Sequence, residues 1–237
     1  MSDDINFDGF RFCNHQGSSA PIGAGGLPRW PHKRITWRVI SPLPQFTQDA
    51  YRDAIREAFE RWAAVCGIDP VEVVENNTRA NIEFKLIREM PGGKLAECYL
   101  PYPGISPVDS LDCNVDAAEG KAWTISDNPP SNRLDLVRVL THELGHGLGV
   151  SHLGEQSGAL MAPFYSAKIG WPQAGDIAEV VARYGPADPN RGKPKPIPTT
   201  PEGTGSLLAV LQDGGRMVVT IGSGVVVRFP DGREVVA

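Results

Sequence analysis

An α/β fold, with a mixed and mainly parallel sheet flanked by long helices, is predicted by three observations. Extended segments alternate with a long helical pattern through the first half of the chain. A second helical pattern in mid-chain ends on a cluster of histidines. A proline-rich stretch then separates this body from a short tail with strand-like patterning. These patterns divide the chain into an N-terminal extension over 1–26, a main domain over 27–185, a linker over 186–206 and a small β segment over 207–237.

At 237 residues and 41% hydrophobic, the chain is long enough for one well-buried domain with appendages. A net charge of −5 without a dense Lys/Arg cluster makes no case for nucleic acid or an anionic membrane as partner. No apolar run approaches the roughly 18 residues of a membrane span. The opening M-S-D-D-I-N-F-D-G-F is acidic and lacks an apolar core, so no secretory signal is visible.

Residues 1–26 hold glycines, serines and little periodicity, and read as an extension that wraps the domain or hangs loose. Ile35 to Ile40 alternates β-branched and aromatic residues as a strand does. Thr47 is then placed to cap a helix whose apolar positions Tyr51, Ile55, Ala58, Phe59 and Trp62 keep a 3.6-residue period. Val71 to Glu75, Asn81 to Ile87 and Leu95 to Leu100 read as further strands, the last ending before Pro101. Leu134 to Leu148 is the second long helix, with Leu136, Val137, Leu140, Leu144 and Leu148 as its buried stripe.

In the tail, Asp213-Gly214, Gly222-Ser223-Gly224 and Asp231-Gly232 are turn signals, which predicts three or four short antiparallel strands. The pieces V-L-Q-D-G-G-R-M-V-V and V-R-F-P-D-G-R-E-V-V form a weak internal repeat. So short a piece buries too little to stand alone, and is expected to dock on the main domain or on a partner.

The chemistry is concentrated in His142 to His152, H-E-L-G-H-G-L-G-V-S-H, which holds three of the chain's five histidines. On a helix, His142 and His146 lie on one face and reach a single ion. Gly149 accepts the left-handed backbone that turns the chain sharply and brings His152 round as third ligand. Three imidazoles leave the fourth tetrahedral position of a zinc ion open, the mark of a catalytic site. Glu143 is placed to take a proton from water activated there, whose pKa zinc lowers to about 7.

A second segment, Ala159-Leu160-Met161-Ala162-Pro163-Phe164-Tyr165, resembles the Met-turn of the metzincins, in which a methionine, here Met161, forms an apolar floor beneath the imidazoles. Within that clan, A-L-M-x-P-x-Y is similar to the matrixins, the matrix-metalloproteinase family. The likeness runs from about Leu27 to Gly185 and takes in L-P-R-W-P-H-K-R-I-T-W-R-V, Ala58-Phe59-x-x-Trp62, and Asp176-Ile177 with Tyr184-Gly185. It implies a metzincin α/β (α+β) fold with a five-stranded, mainly parallel sheet, two long helices, a zinc cleft, and a C-terminal subdomain carrying the Met-turn and a closing helix. It also implies an extracellular zinc endopeptidase acting on extended protein or peptide substrates. A catalytically silent scaffold serving as a binding or adhesion module is the alternative, and the intact Glu143 and ligands argue against it.

Carried over by position, the resemblance makes Leu95 and Ala96 part of an edge strand that pairs with substrate. Pro163 and Tyr165 would wall the pocket for the side chain after the scissile bond. Asp116 and Glu119 would be calcium ligands at a reduced ligand count, or else part of a solvated acidic loop. The histidines of the family's structural zinc are replaced, since those places read Leu95-Ala96-Glu97-Cys98-Tyr99 and Asn114-Val115-Asp116-Ala117-Ala118-Glu119, so one zinc is expected and no second. Cys98 and Cys113 nearby are either a disulfide that staples the loop or two reduced thiols. Matrixin zymogens are often held latent by a propeptide cysteine on the zinc. Cys13 precedes the domain as such a cysteine does, but Arg11-Phe12-Cys13-Asn14-His15 does not match the family's P-R-C-G-x-P-D. Pairing with Cys66, or a free thiol, are the other readings of Cys13.

Overall fold

Alternation in R-I-T-W-R-V sends Ile35 and Trp37 to one face, and both are buried in strand β1, Arg34–Val39. In the computed structural model of the chain, the described residues are 11–13, 27–74, 78–118, 122–126, 128–130, 132–191, 226–228 and 234–236. Helix α1, Gln48–Ala63, starts where Thr47 accepts a hydrogen bond from the Ala50 N–H at 3.2 Å. Its stripe of Tyr51, Ile55, Ala58, Phe59 and Trp62 is fully buried. The Phe59 ring stacks on Trp37 of β1 at 5.7 Å, which fixes the helix to one sheet face.

The sheet continues with β2 (Asp69–Glu72), β3 (Ile82–Ile87), β4 (Ala96–Cys98) and β5 (Leu111–Asp116), in the spatial order β2-β1-β3-β5-β4. β1 pairs parallel with β2 and β3, and β3 with β5, while β4 alone runs antiparallel, along β5. This is the mixed, mainly parallel sheet of five strands that was expected. Two details differ from the sequence reading. β2 sits two residues earlier than Val71 to Glu75, because Asp69 and Pro70 pair with Arg34 and Ile35. β5 was not anticipated as a strand, yet its Leu111, Cys113 and Val115 alternate inward.

Short strands β6 (Trp123–Thr124) and β7 (Leu134–Asp135) pair in parallel and lead into helix α2, Leu136–Gly147. α2 begins later than the hydrophobic pattern because Leu134 and Asp135 are extended and the Asp135 carboxylate caps it, accepting from the Val137 N–H at 3.0 Å. Helix α3, Ala174–Tyr184, closes this part of the chain.

After α2, Gly149 adopts φ 92°, and a Cβ there would overlap the carbonyl oxygen of Pro28. Backbone conformation and close approach both demand glycine, so Gly149→Ala is expected to lower stability by about 2–5 kcal/mol. Thermal unfolding monitored by circular dichroism measures this, and an unchanged Tm would contradict it.

The chain divides into two units, Met1–Pro194 and Lys195–Ala237. In the second, β8 (Val226–Arg228) pairs antiparallel with β9 (Glu234–Val236), and the anticipated turn at Asp231-Gly232 lies outside the described residues. The other turn signals of the tail, most of the linker and the surfaces on which docking would depend lie outside the described residues. Among the described residues no helix is long and apolar enough to cross a membrane.

All four cysteines are buried, and no disulfide joins them. Cys98 faces Cys113 directly across the β4–β5 ladder, so the two are neighbours in the reduced state rather than a bridge. Cys13 does not pair with Cys66, whose backbone bridges to Pro186, while Cys13 lies among the histidines.

Candidate metal centre and cleft

α2 presents His142 and His146 on one face, and the turn at Gly149 returns the chain so that His152 joins them. The Nδ1 atoms are committed elsewhere: His142 Nδ1 lies 2.8 Å from the Leu160 carbonyl oxygen and His146 Nδ1 2.8 Å from that of Val150. A carbonyl accepts, so each Nδ1 carries the proton and each Nε2 keeps its lone pair for a metal. The Nε2 atoms of His142 and His152 are 3.3 Å apart. The Cys13 sulfur completes the group, 3.3 Å from Nε2 of both His146 and His152 and 3.8 Å from that of His142.

These spacings suit a zinc ion. Zn–N bonds of about 2.0–2.1 Å in a tetrahedron set nitrogens about 3.3–3.4 Å apart and a thiolate sulfur about 3.5 Å from each. Four donors of the right softness within 4.8 Å of one another therefore form a group able to hold the metal. Cys13 is the fourth donor, the position a catalytic site otherwise leaves to water.

Glu143 is wholly buried beside this group, and one carboxylate oxygen accepts from the Cys98 N–H of β4 at 2.8 Å. Burial pushes its carboxyl up to about 8, against the opposing pull of the Cys98 amide, the Cys13 thiol and Lys94. Met161 is fully buried beneath α2, where its sulfur leaves no room for a side chain on Gly145. The segment is tied down by Asp176 of α3, itself fully buried, which accepts from the N–H groups of Leu160, Met161 and Gln173 at 2.7–3.0 Å.

The residues expected to hold substrate all meet Phe12, the neighbour of Cys13. Leu95 and Ala96 are at the start of edge strand β4, and both donate their N–H groups to the Phe12 carbonyl, at 3.0 and 3.2 Å. Pro163 stands opposite and accepts from the Phe12 N–H at 3.0 Å. The Tyr165 hydroxyl accepts from the Asp135 N–H at 3.1 Å, and its ring meets that of Phe12 edge-on at 5.5 Å.

A family model described as Matrixin matches residues 29–185, which contain α1, the whole sheet, the three histidines and Glu143. The chain belongs to the matrixin family. Matrix metalloproteinase-16 of Homo sapiens is 32% identical over 190 residues, covering 72% of this chain and 30% of that protein. Interstitial collagenase of Sus scrofa is 33% identical over 174 residues, with 69% and 34% covered. Neutrophil collagenase of Homo sapiens is 30% identical over 187 residues, with 71% and 38% covered. The matched part thus spans about a third of these curated relatives.

In this matrixin, Asp116 is buried at the end of β5, accepts from the Ala118 N–H at 2.8 Å, and lines a pocket of about 420 Å³ with Glu89, Gly92 and Gly93. Glu119, the other expected calcium ligand, lies outside the described residues. Where matrixins carry structural-zinc histidines, Glu97 pairs with Lys94 at 3.0 Å and Asn114 sits in the β5 ladder opposite it.

Two groups at the site escaped sequence reasoning. The Cys98 amide acts through the backbone and leaves no trace in residue type. Phe12 lies 83 positions or more from Leu95, Ala96, His142, Pro163 and Tyr165, the residues it meets there, although its place next to Cys13 was a usable signal.

Asp135 gives the matrixin domain a specific pH response. It is nearly fully buried, Arg138 lies 3.6 Å from its second oxygen, and burial pushes its carboxyl up to about 6 against the pull of Arg138 and Arg61. A carboxyl whose folded pKa exceeds the ordinary 3.8 binds its proton more tightly when folded. Its ionisation therefore costs stability, progressively from about pH 4 to about pH 6 and fully above that. Asp135→Asn, which keeps the capping oxygen, is expected to gain on the order of 2–3 kcal/mol at pH 7 and nothing below pH 4. Urea unfolding of both proteins across this range measures the difference, and a pH-independent gap would contradict it.

Proposed function

We propose that the chain is a zinc-dependent endopeptidase that cleaves extended protein or peptide substrates, acting outside the cell as its family does. The observation that carries this reading is the convergence of three histidine Nε2 atoms on one point, with a buried carboxyl group on the residue next to His142 in the same helix. Zinc bound there supplies Lewis acidity toward the scissile carbonyl and lowers the pKa of water. Glu143 takes the proton from the attacking water and delivers it to the leaving amine, with the Cys98 N–H keeping its carboxylate in place. Leu95 and Ala96 pair with the substrate backbone, Pro163 and Tyr165 wall the pocket beyond the scissile bond, and Met161 supports the imidazoles from below.

Cys13 holds the protein latent by taking the fourth donor position, which supports the reading of residues 1–26 as a pro-segment. Asp116 and Glu119 bind calcium as a structural ion. The test is to incubate protein freed of its N-terminal segment with a diverse peptide library. Cleavage that stops with a zinc chelator and returns with added zinc is expected, whereas cleavage indifferent to chelation would refute the reading.

A further inference from the structure

The last turn of α2 hands its carbonyl groups on one by one, and the sequence of acceptors leads to Arg183. The Leu148 N–H donates to the Leu144 carbonyl at 2.8 Å, the Gly149 N–H reverts to His146 at 2.7 Å, and the Val150 N–H reverts to Gly145 at 2.8 Å. With Gly149 left-handed at φ 92°, these two reversed bonds make a Schellman stop. The Gly147 carbonyl is taken by the Trp30 indole N–H at 2.9 Å. The Gly149 carbonyl is taken by Arg183 Nε of α3 at 3.0 Å, and the same N–H is shared with the Pro28 carbonyl at 3.1 Å. One N–H thus holds two carbonyl oxygens together at the negative end of α2, where a cation offsets the crowding of like dipoles. Arg183 is buried, and its Nη1 donates to the Glu179 carbonyl and carboxylate at 2.6 and 2.7 Å, which fixes the guanidinium. The peptide that follows Gly149 belongs to Val150, whose carbonyl oxygen lies 2.8 Å from His146 Nδ1, and His152 comes two residues later.

We infer that Arg183 is a positioning residue for the metal centre: it pins the turn after α2 and, through the backbone, sets the ring of His146 and the approach of His152. Release of the Gly149 carbonyl lets the Val150 peptide rotate, so the partner that orients His146 moves and the third imidazole moves with it. Groups that orient metal ligands in this way cost about 10–100-fold in metal affinity when they are lost. The inference rests on the reading of the three histidines as zinc ligands.

Two measurements on the purified full chain test it and separate its failure from failure of that reading. The first is zinc affinity, by competition with a chromophoric chelator. Arg183→Met keeps the length of the side chain and removes its donors, and is expected to bind zinc about 10–100-fold more weakly than the unaltered protein. Arg183→Lys, whose ammonium lacks the planar fork, is expected to lose less, but at least about threefold. Val180→Ala, which removes fully buried bulk from the same helix, is expected to lower Tm and keep zinc affinity within about threefold. Unchanged affinity in Arg183→Met would overturn the inference, as would a Val180→Ala protein that binds zinc as weakly as Arg183→Met, since affinity would then follow stability alone. The second measurement is hydrogen exchange of the Val150 amide in metal-free protein, expected to run about tenfold faster in Arg183→Met and faster also in Arg183→Lys. Unchanged exchange in both variants would overturn it too. Should Arg183→Met fail to fold, Arg183→Lys decides, and zinc affinity and exchange equal to those of the unaltered protein would overturn the inference. If the unaltered chain itself binds no zinc, the metal-centre reading fails, and the exchange rates alone decide whether Arg183 holds the turn.

Discussion

Glu143→Gln, measured in protein freed of its N-terminal segment, is expected to lower kcat by about 10²–10⁴-fold and to leave the metal content unchanged. Glutamine has the shape of glutamate and can still accept from the Cys98 N–H, so the carboxamide stays where the carboxylate was. It cannot take a proton from water, which is the step assigned to this position. Because Glu143 is wholly buried and its carboxyl is pushed up to about 8, replacing it by a neutral isostere does not weaken the fold. The variant therefore separates chemistry from structure: metal and Tm are retained while turnover is lost. Undiminished peptide cleavage would remove Glu143 from its role.

His146→Ala has a different signature, the loss of metal and turnover together. The imidazole is fully buried, its Nδ1 is tied to the Val150 carbonyl and its Nε2 lies 3.3 Å from the Cys13 sulfur, so truncation removes a donor and leaves the Val150 carbonyl unpaired. An unpaired buried acceptor costs about 1–3 kcal/mol, to which the void left by the ring adds. Metal analysis after dialysis should find the site depleted, and added zinc should not raise Tm as it is expected to do for the unaltered protein. A variant that kept stoichiometric zinc would contradict the ligand assignment.

The parts of this molecule legible in its sequence are those governed by local periodicity or by backbone demands. Thr47 announced α1 because an N-cap oxygen acts within one turn, and Gly149 announced the turn to His152 because only glycine tolerates that conformation at little cost. β5 was not anticipated from the sequence, where Asp116 was weighed only with Glu119 as a calcium ligand or part of an acidic loop. The alternating Leu111, Cys113 and Val115 were the stronger signal, since a strand inside a sheet is set by what it buries on the core side. Nothing local tied Arg11-Phe12-Cys13 to the cleft, because its partners belong to β4, α2 and the segment before α3. The departure from the family's cysteine motif hid a contact that depends on the sulfur and a ring rather than on the flanking residues.

The Cys13 sulfur and the Phe12 ring meet on one structure, the array of imidazoles. His142 lends one ring face to Phe12 while its Nε2 points to the same centre as the Cys13 sulfur. A segment that seats its sulfur there therefore seats its aromatic ring as well.

X-ray absorption spectroscopy at the zinc edge, combined with elemental analysis of the purified full chain, tests the central claim most directly. One zinc per chain is expected, with three imidazole nitrogens and one sulfur in its first shell and the sulfur absent in Cys13→Ser. A protein that holds no stoichiometric zinc after reconstitution, or holds it without imidazole ligands, would contradict the account.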